Sequence, residues 1–382
     1  MQTITFMPTV KTYCEDRDAI IARLTRHHEK LQEKAARLSK VKACGQGDPL
    51  ETEAAEQGPP SQRKASALEE CEARPGQRDR WGVEKRIRRR AGRIVAAAAK
   101  ANGLSHLPDE PRKRLLAAPR EYQLAGPMTE HQADEIAAAL YAESPWLQEA
   151  ILPIWQDMRQ HAREGLGLKF RPLLLDGPPG IGKTHLARRL GELTALPALN
   201  FDVGSSSEGF RITGLARGWG TAHPSQIVER ILDTGIANPV VFIDEIDKAD
   251  VIKSVKGHST SVLTSLLVLL EQRSAAAWEC PFYQVPFNMA HVNWLLASNS
   301  VDLVPVPLQT RVRIIRLKGM DHRTLVEAAV QRCKREDLPD GVVEDVERVL
   351  SLYPPGHSAL NMRTLDRIFE DRARHERKPC LN

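Results

Sequence analysis

Residues 173–184 read LLLDGPPGIGKT, an apolar run that ends in an acid and breaks into a glycine-rich loop. The loop, Gly177-Pro178-Pro179-Gly180-Ile181-Gly182-Lys183-Thr184, has the spacing G-x-x-x-x-G-K-[ST] and is followed by a helical pattern, HLARRLGELTA. Chemistry explains that combination. Glycines at 177, 180 and 182 let backbone N–H groups close around phosphate oxygens with no Cβ in the way. Lys183 is then expected to reach the β- and γ-phosphates, and the Thr184 hydroxyl to hold Mg²⁺.

Sixty residues after Thr184, Val240-Val241-Phe242-Ile243 runs into Asp244 and Glu245. An apolar strand ending in two carboxylates suits a metal-bound triphosphate: Asp244 for the Mg²⁺ shell, Glu245 to polarise an attacking water. Other strand-like runs lie at 172–175, 197–203, 292–298 and 312–317, and helical patterns separate them. Five strands alternating with helices predict a parallel α/β sheet. Helices are expected at 129–143 and 145–163 before it, and 322–382 reads as helical throughout.

The 382 residues are 42% hydrophobic and 27% charged, and no stretch approaches the ~18 apolar residues of a membrane span. The N-terminus lacks a basic segment followed by an apolar run, and the six cysteines form no C-x-x-C pair. These features predict a cytoplasmic protein without a disulfide framework or zinc ribbon. Charge is uneven: residues 1–125 hold 25 Lys and Arg against 17 Asp and Glu, so all of the net +5 arises there.

Within that region, 15–42 has Ile21, Leu24, Leu31 and Leu38 at helical spacing, with His28 and Ala35 in the intervening seam positions. A short coiled coil and a plain amphipathic helix both fit. Residues 43–80 are rich in Gly, Pro, Gln and charge and read as linker or disorder. Residues 81–101 form a basic helix with Val83, Ile87, Ala91, Ile94, Val95 and Ala98 on one face. Its cationic run at 85–93 suits either nucleic acid (or an acidic partner) or a solvated surface.

GPPGIGKT, FIDEIDK (242–248), ASNS (297–300) and PLQTRVRIIRL (307–317) occur in an order and spacing that resemble AAA+ ATPases. The segment between the first two, and NMRTLDR near the end, make the chain similar to the ATPase module of Lon-type proteases over roughly residues 170–370. The resemblance implies a P-loop NTPase (AAA+) sheet at 126–318, a helical lid at 319–382 and a helical, partly disordered N-terminal region at 1–125. It implies ATP and Mg²⁺ as cofactors, Asn299 as the sensor-1 residue, Arg311 as an arginine finger and Arg363 as the sensor-2 arginine. It places Trp219 in a substrate-gripping pore loop, with Gly218 and Gly220 where the family has bulkier neighbours.

Such modules work as homo-oligomeric rings, here expected to be hexameric, on a protein substrate or for a separately encoded effector. Only 19 residues follow Arg363, too few for the Ser–Lys peptidase domain of Lon proteases. The expectation is therefore an ATPase that is not a peptidase by itself. Two rivals stand beside protein remodelling: a DNA-acting AAA+ ATPase using 85–93, and an ATP-dependent switch or scaffold.

Overall fold

The computed structural model describes residues 2–10, 17–43, 75–204, 208–217, 222–249, 252–253, 259–260, 262–339 and 341–376. Two compact units result: Met1–Lys11 with Ala118–Asn382, and Thr12–Ala117.

The larger unit is built on a five-stranded sheet in the order Arg313–Arg316, Leu173–Asp176, Asn293–Ser298, Val240–Asp244, Ala198–Asp202, with every pairing parallel. The three inner strands are apolar on both faces and almost wholly buried, as a sheet covered on both sides requires. The two edge strands carry more exposed residues. Each of the five runs read from the sequence thus forms a strand of this sheet, shifted by a residue or two at the ends. Leu174 lies beside Leu296 on one neighbour and Ile314 on the other, so the glycine loop leaves the interior of the sheet.

Local chemistry sets the helices. Thr129 accepts a hydrogen bond from the Gln132 N–H and starts the Glu130–Glu143 helix. Glu130 reaches across to Arg159 and Arg163 on the Gln148–Arg163 helix, and the two guanidinium groups hold its carboxyl down to about 2. At the N-terminal ends of the strands, the buried Asn293 amide donates to the carbonyls of Leu168 and Asn238, and its oxygen accepts from the Phe170 N–H. Asn238 likewise donates to Ala125 and Leu168. Every hydrogen-bonding atom of the two side chains is used, so these buried amides tie four segments together at little desolvation cost.

Three helices follow the sheet: His322–Glu336, Gly341–Leu350 and Met362–Glu376. Asp321 caps the first by accepting from the Thr324 N–H at 2.8 Å. Leu325, Val346, Leu365 and Phe369 are buried in the same apolar cluster as the sheet and its flanking helices.

The division at 125/126 needs correcting. Thr3–Thr5 pairs antiparallel with Glu121–Gln123, and Phe6 packs between Tyr122 and Phe287 at ring separations of 5.0 and 5.2 Å. Residues at both ends of the expected N-terminal region therefore belong to the larger unit. Pairing across more than a hundred residues leaves no periodic trace in sequence.

In the smaller unit, helices Arg17–Ala43 and Pro75–Ala101 pack on each other, followed by Asp109–Ala117. The linker expected at 43–80 is helical from Pro75 onward, because proline is tolerated in a helix's first turn. Residues 44–74 lie outside the described residues. Of the expected seam, Ile21, Leu24 and His28 are half-buried, but Leu31 is 52% exposed. On the basic helix Ala91 is buried and Ile94 turns outward, leaving an apolar face narrower than the one read from the sequence.

Candidate functional site

The glycine loop caps the Lys183–Thr194 helix from the C-terminal end of the Leu173–Asp176 strand. Gly180 and Gly182 have φ of +78° and +97°, where a Cβ is strained. A Cβ on Gly177 would stand 2.8 Å from the Leu317 carbonyl oxygen, and one on Gly180 would stand 3.0 Å from the Asn361 Cβ. Space as well as conformation excludes other residues here. The Met362 N–H donates to the Gly180 carbonyl at 2.8 Å, which couples the last helix to the loop.

Lys183 is almost buried, and its Nζ donates to the carbonyls of Gly177 (2.5 Å) and Ser298 (3.0 Å) and to Asn299 Oδ1 (3.3 Å). Burial pushes its amine below the ordinary lysine value, while Asp244, Asp247 and Asp176 oppose that shift. The Thr184 hydroxyl donates to Asp244 Oδ2 at 3.1 Å. Asn299, the residue after the Asn293–Ser298 strand, also donates its backbone N–H to Asp247 Oδ2 at 3.3 Å.

Glu245 has a φ of +55°, which is unusual for a residue with a Cβ and turns the chain sharply after the strand. Its Oε1 accepts from Lys248 Nζ at 2.6 Å, a bond that raises the Lys248 amine above its ordinary value. Gly204 faces Glu245, and any Cβ there would collide with Oε2.

Lys183, Thr184, Asp244, Glu245, Lys248 and Asn299 line one cavity of about 1010 Å³, together with Arg332, Arg335 and Arg363 from the C-terminal helices. The structure thus brings together Pro179, Gly180, Gly182, Lys183, Thr184, Asp244, Glu245, Asn299 and Arg363. Gly177 and Pro178 supply the carbonyls that hold Lys183, and Ile181 is buried beneath the loop. Arg311 stands apart: it does not line the cavity, and its guanidinium donates to the Pro307 carbonyl at 3.0 Å. Trp219 lies outside the described residues.

A magnesium nucleotide fits this donor set. The cavity offers backbone N–H groups without Cβ obstruction, several cations, and hard oxygen donors at Thr184 and Asp244. Among the described residues no cluster of three or more His, Cys, Asp or Glu could hold a metal by itself. Mg²⁺ is commonly shared between one or two protein oxygens and substrate phosphates, and Thr184 and Asp244 offer two such oxygens.

Sequence reading missed three contributors. Trp146 lines the cavity and donates from its indole nitrogen to the Ile181 carbonyl at 2.9 Å. Lys248 holds the Glu245 carboxylate, and Gly204 leaves room for it. Lys248 was visible in FIDEIDK, whereas nothing near Trp146 or Gly204 in sequence marks either one.

Residues 173–320 match the family described as "ATPase family associated with various cellular activities (AAA)". The mitochondrial Lon protease homolog of Phaeodactylum tricornutum is 31% identical over 180 residues, which is 47% of this chain and 20% of that protein. The Lon protease of Aster yellows witches'-broom phytoplasma is 29% identical over 215 residues, or 55% of this chain and 26% of that one. The chain thus spans a fifth to a quarter of these relatives. A solved structure of Hsp104, in its closed state with ATPyS and FITC casein, gives a TM-score of 0.49 at 15% identity, covering 74% of this chain and 50% of that one. Residues 173–320 thus match the AAA family model, and about half of the chain is similar in sequence to part of Lon proteases.

Proposed function

We propose that the chain is a Mg²⁺-dependent ATPase that remodels or threads protein, working as a homo-oligomeric, hexameric ring for a separately encoded effector. One observation carries the ATPase reading: the Lys183 loop, the Asp244–Glu245 pair, Asn299 and Arg363 come from four separate segments and line a single cavity. Thr184 and Asp244 would hold Mg²⁺, which supplies charge neutralisation between the phosphates when bound. Lys183 binds phosphate oxygens, Asn299 and Glu245 orient the water, and Glu245 takes its proton. Arg363, on the helical lid at 319–382, stabilises charge from within the same subunit.

The position of Arg311 supports the ring. The finger role implied for Arg311 requires a guanidinium outside its own subunit's cavity, and Arg311 does not line that cavity. Protein as substrate rests on the similarity to Lon proteases and on Trp219, assigned to the first pore loop.

The test is steady-state ATPase activity with and without an unfolded protein. Wild type should be stimulated, whereas Trp219→Ala should keep basal turnover within about threefold, only ~0.65 kcal/mol, and lose the stimulation. Stimulation by DNA and not by unfolded protein overturns the remodelling reading. If Trp219 is a core residue instead, the same substitution costs roughly 3–5 kcal/mol of stability and shows in a thermal melt.

A further inference from the structure

The Pro75–Ala101 helix carries nine Lys and Arg against two Asp and Glu, and none of the acids lies beyond Glu84. At about 100° per residue, Arg86, Arg89, Arg90 and Arg93 fall within an arc of about 100° and span about 10 Å of helix. All four are exposed, on the side opposite the buried Ala91 and Ala99. Among the described residues no carboxylate pairs with any of them, although Arg88, off the stripe, pairs with Glu84 at 2.7 Å.

An ordinary solvated helix looks different. On His322–Glu336, Arg323 meets Glu327 and Arg332 meets Glu336 one turn on. Four like charges side by side repel one another, and with no pairing carboxylate among the described residues a polyanion would relieve that repulsion. The neighbouring Arg17–Ala43 helix deepens the field, with eight Lys and Arg against three Asp and Glu.

We propose that this stripe is a nucleic-acid backbone site, recognising phosphates without reading sequence. Three features favour nucleic acid over other polyanions. Five of the six cations at 85–93 are arginine, whose planar fork matches phosphate oxygens two at a time. The spacing suits a backbone that presents a phosphate every ~3.4 Å along each strand. A membrane helix would flank such charge with an apolar face, but the exposed large apolar residues of this helix, Trp81 and Ile94, lie about 140° apart around its axis. The site is independent of the ATPase reading.

The experiment measures fluorescence anisotropy of labelled 30-nucleotide single-stranded and 30-base-pair DNA with the full chain between 50 and 200 mM salt. Wild type should lose roughly 100-fold in affinity across that range, as about four displaced counterions require. Replacing Arg86, Arg89, Arg90 and Arg93 together by Gln should weaken binding at 100 mM at least ~30-fold and flatten the salt slope by about 3. Replacing the same four by Lys should cost only a few-fold, and helicity should persist in both because the side chains are exposed. Removing equal charge at exposed Lys113, Arg120, Arg230 and Arg273 should leave binding within about threefold. Equal loss in that control, or in the Lys variant, overturns the assignment. So does displacement of DNA by poly-glutamate as readily as by unlabelled DNA of equal charge, or capture by phosphatidylserine vesicles that the Gln variant abolishes while DNA binding persists.

Discussion

Lys183 and Arg89 carry the same charge in opposite settings. Lys183 is buried in the larger unit, held by three carbonyls and Asn299, with Asp244, Asp247 and Asp176 offsetting the cost of burial. Arg89 lies exposed on the smaller unit, with no carboxylate beside it among the described residues. A buried, compensated cation has one geometry and one ligand position, so it can serve chemistry. An exposed row without a pairing carboxylate among the described residues has charge but no fixed geometry, which suits binding that ignores sequence. On the two proposals made above, the contrast separates a catalytic unit from an electrostatic one within one chain.

The largest effect should come from breaking the buried side of that comparison. Lys183→Ala should abolish nucleotide binding, while Glu245→Gln should leave binding intact and lower turnover by at least ~100-fold. Calorimetric titration with nucleotide, alongside an ATPase assay, separates the two. Neither change should alter DNA binding, since both lie in the larger unit. Wild-type turnover in Glu245→Gln would remove that residue from the chemistry.

Arg311 tests whether the catalytic unit is complete by itself. Arg311→Ala should lower turnover by about 10³-fold or more, the scale of an arginine finger. Mixed with Lys183→Ala subunits it should regain some activity, because each supplies what the other lacks at a shared interface. Full activity of a monomer at nanomolar concentration would refute the shared site.

Legibility in sequence followed the range of the interactions involved. The glycine loop, the Asp244–Glu245 strand end and the five strands were legible because each rests on spacing within a dozen residues. Thr3–Thr5 and Phe6 were not, since their partners at 121–123 and 287 lie more than a hundred residues away. Leu31 fits the helical seam yet is exposed, because spacing tells which face a residue shares but not whether a partner covers it. Pro75 and Gly76 read as breakers, although a helix's first turn accommodates proline. The contact of Lys248 with Glu245 depends on a left-handed backbone at a non-glycine residue, which no pattern announces.

The smallest effect concerns pH and lies in the larger unit. His291 lies just before the Asn293–Ser298 strand, and burial, reinforced by Lys169 and His161, lowers its imidazole to about 4. Lys169 is itself buried, at about 8, with its Nζ donating to the Ala290 and Val292 carbonyls. A histidine lowered on folding binds protons more readily when unfolded. Its contribution to stability is therefore full above pH 6.5 and is lost progressively as pH falls towards 4. At pH 5 the loss should reach about 2 kcal/mol, or roughly 4–8 °C in Tm for a unit of this size. His291→Gln should flatten that dependence between pH 7 and 5, whatever its effect at neutral pH. Melts of wild type and variant at both pH values measure the difference. Equal slopes would mean that the acid sensitivity arises elsewhere, and that the cations packed around the start of this strand are better solvated than their burial implies.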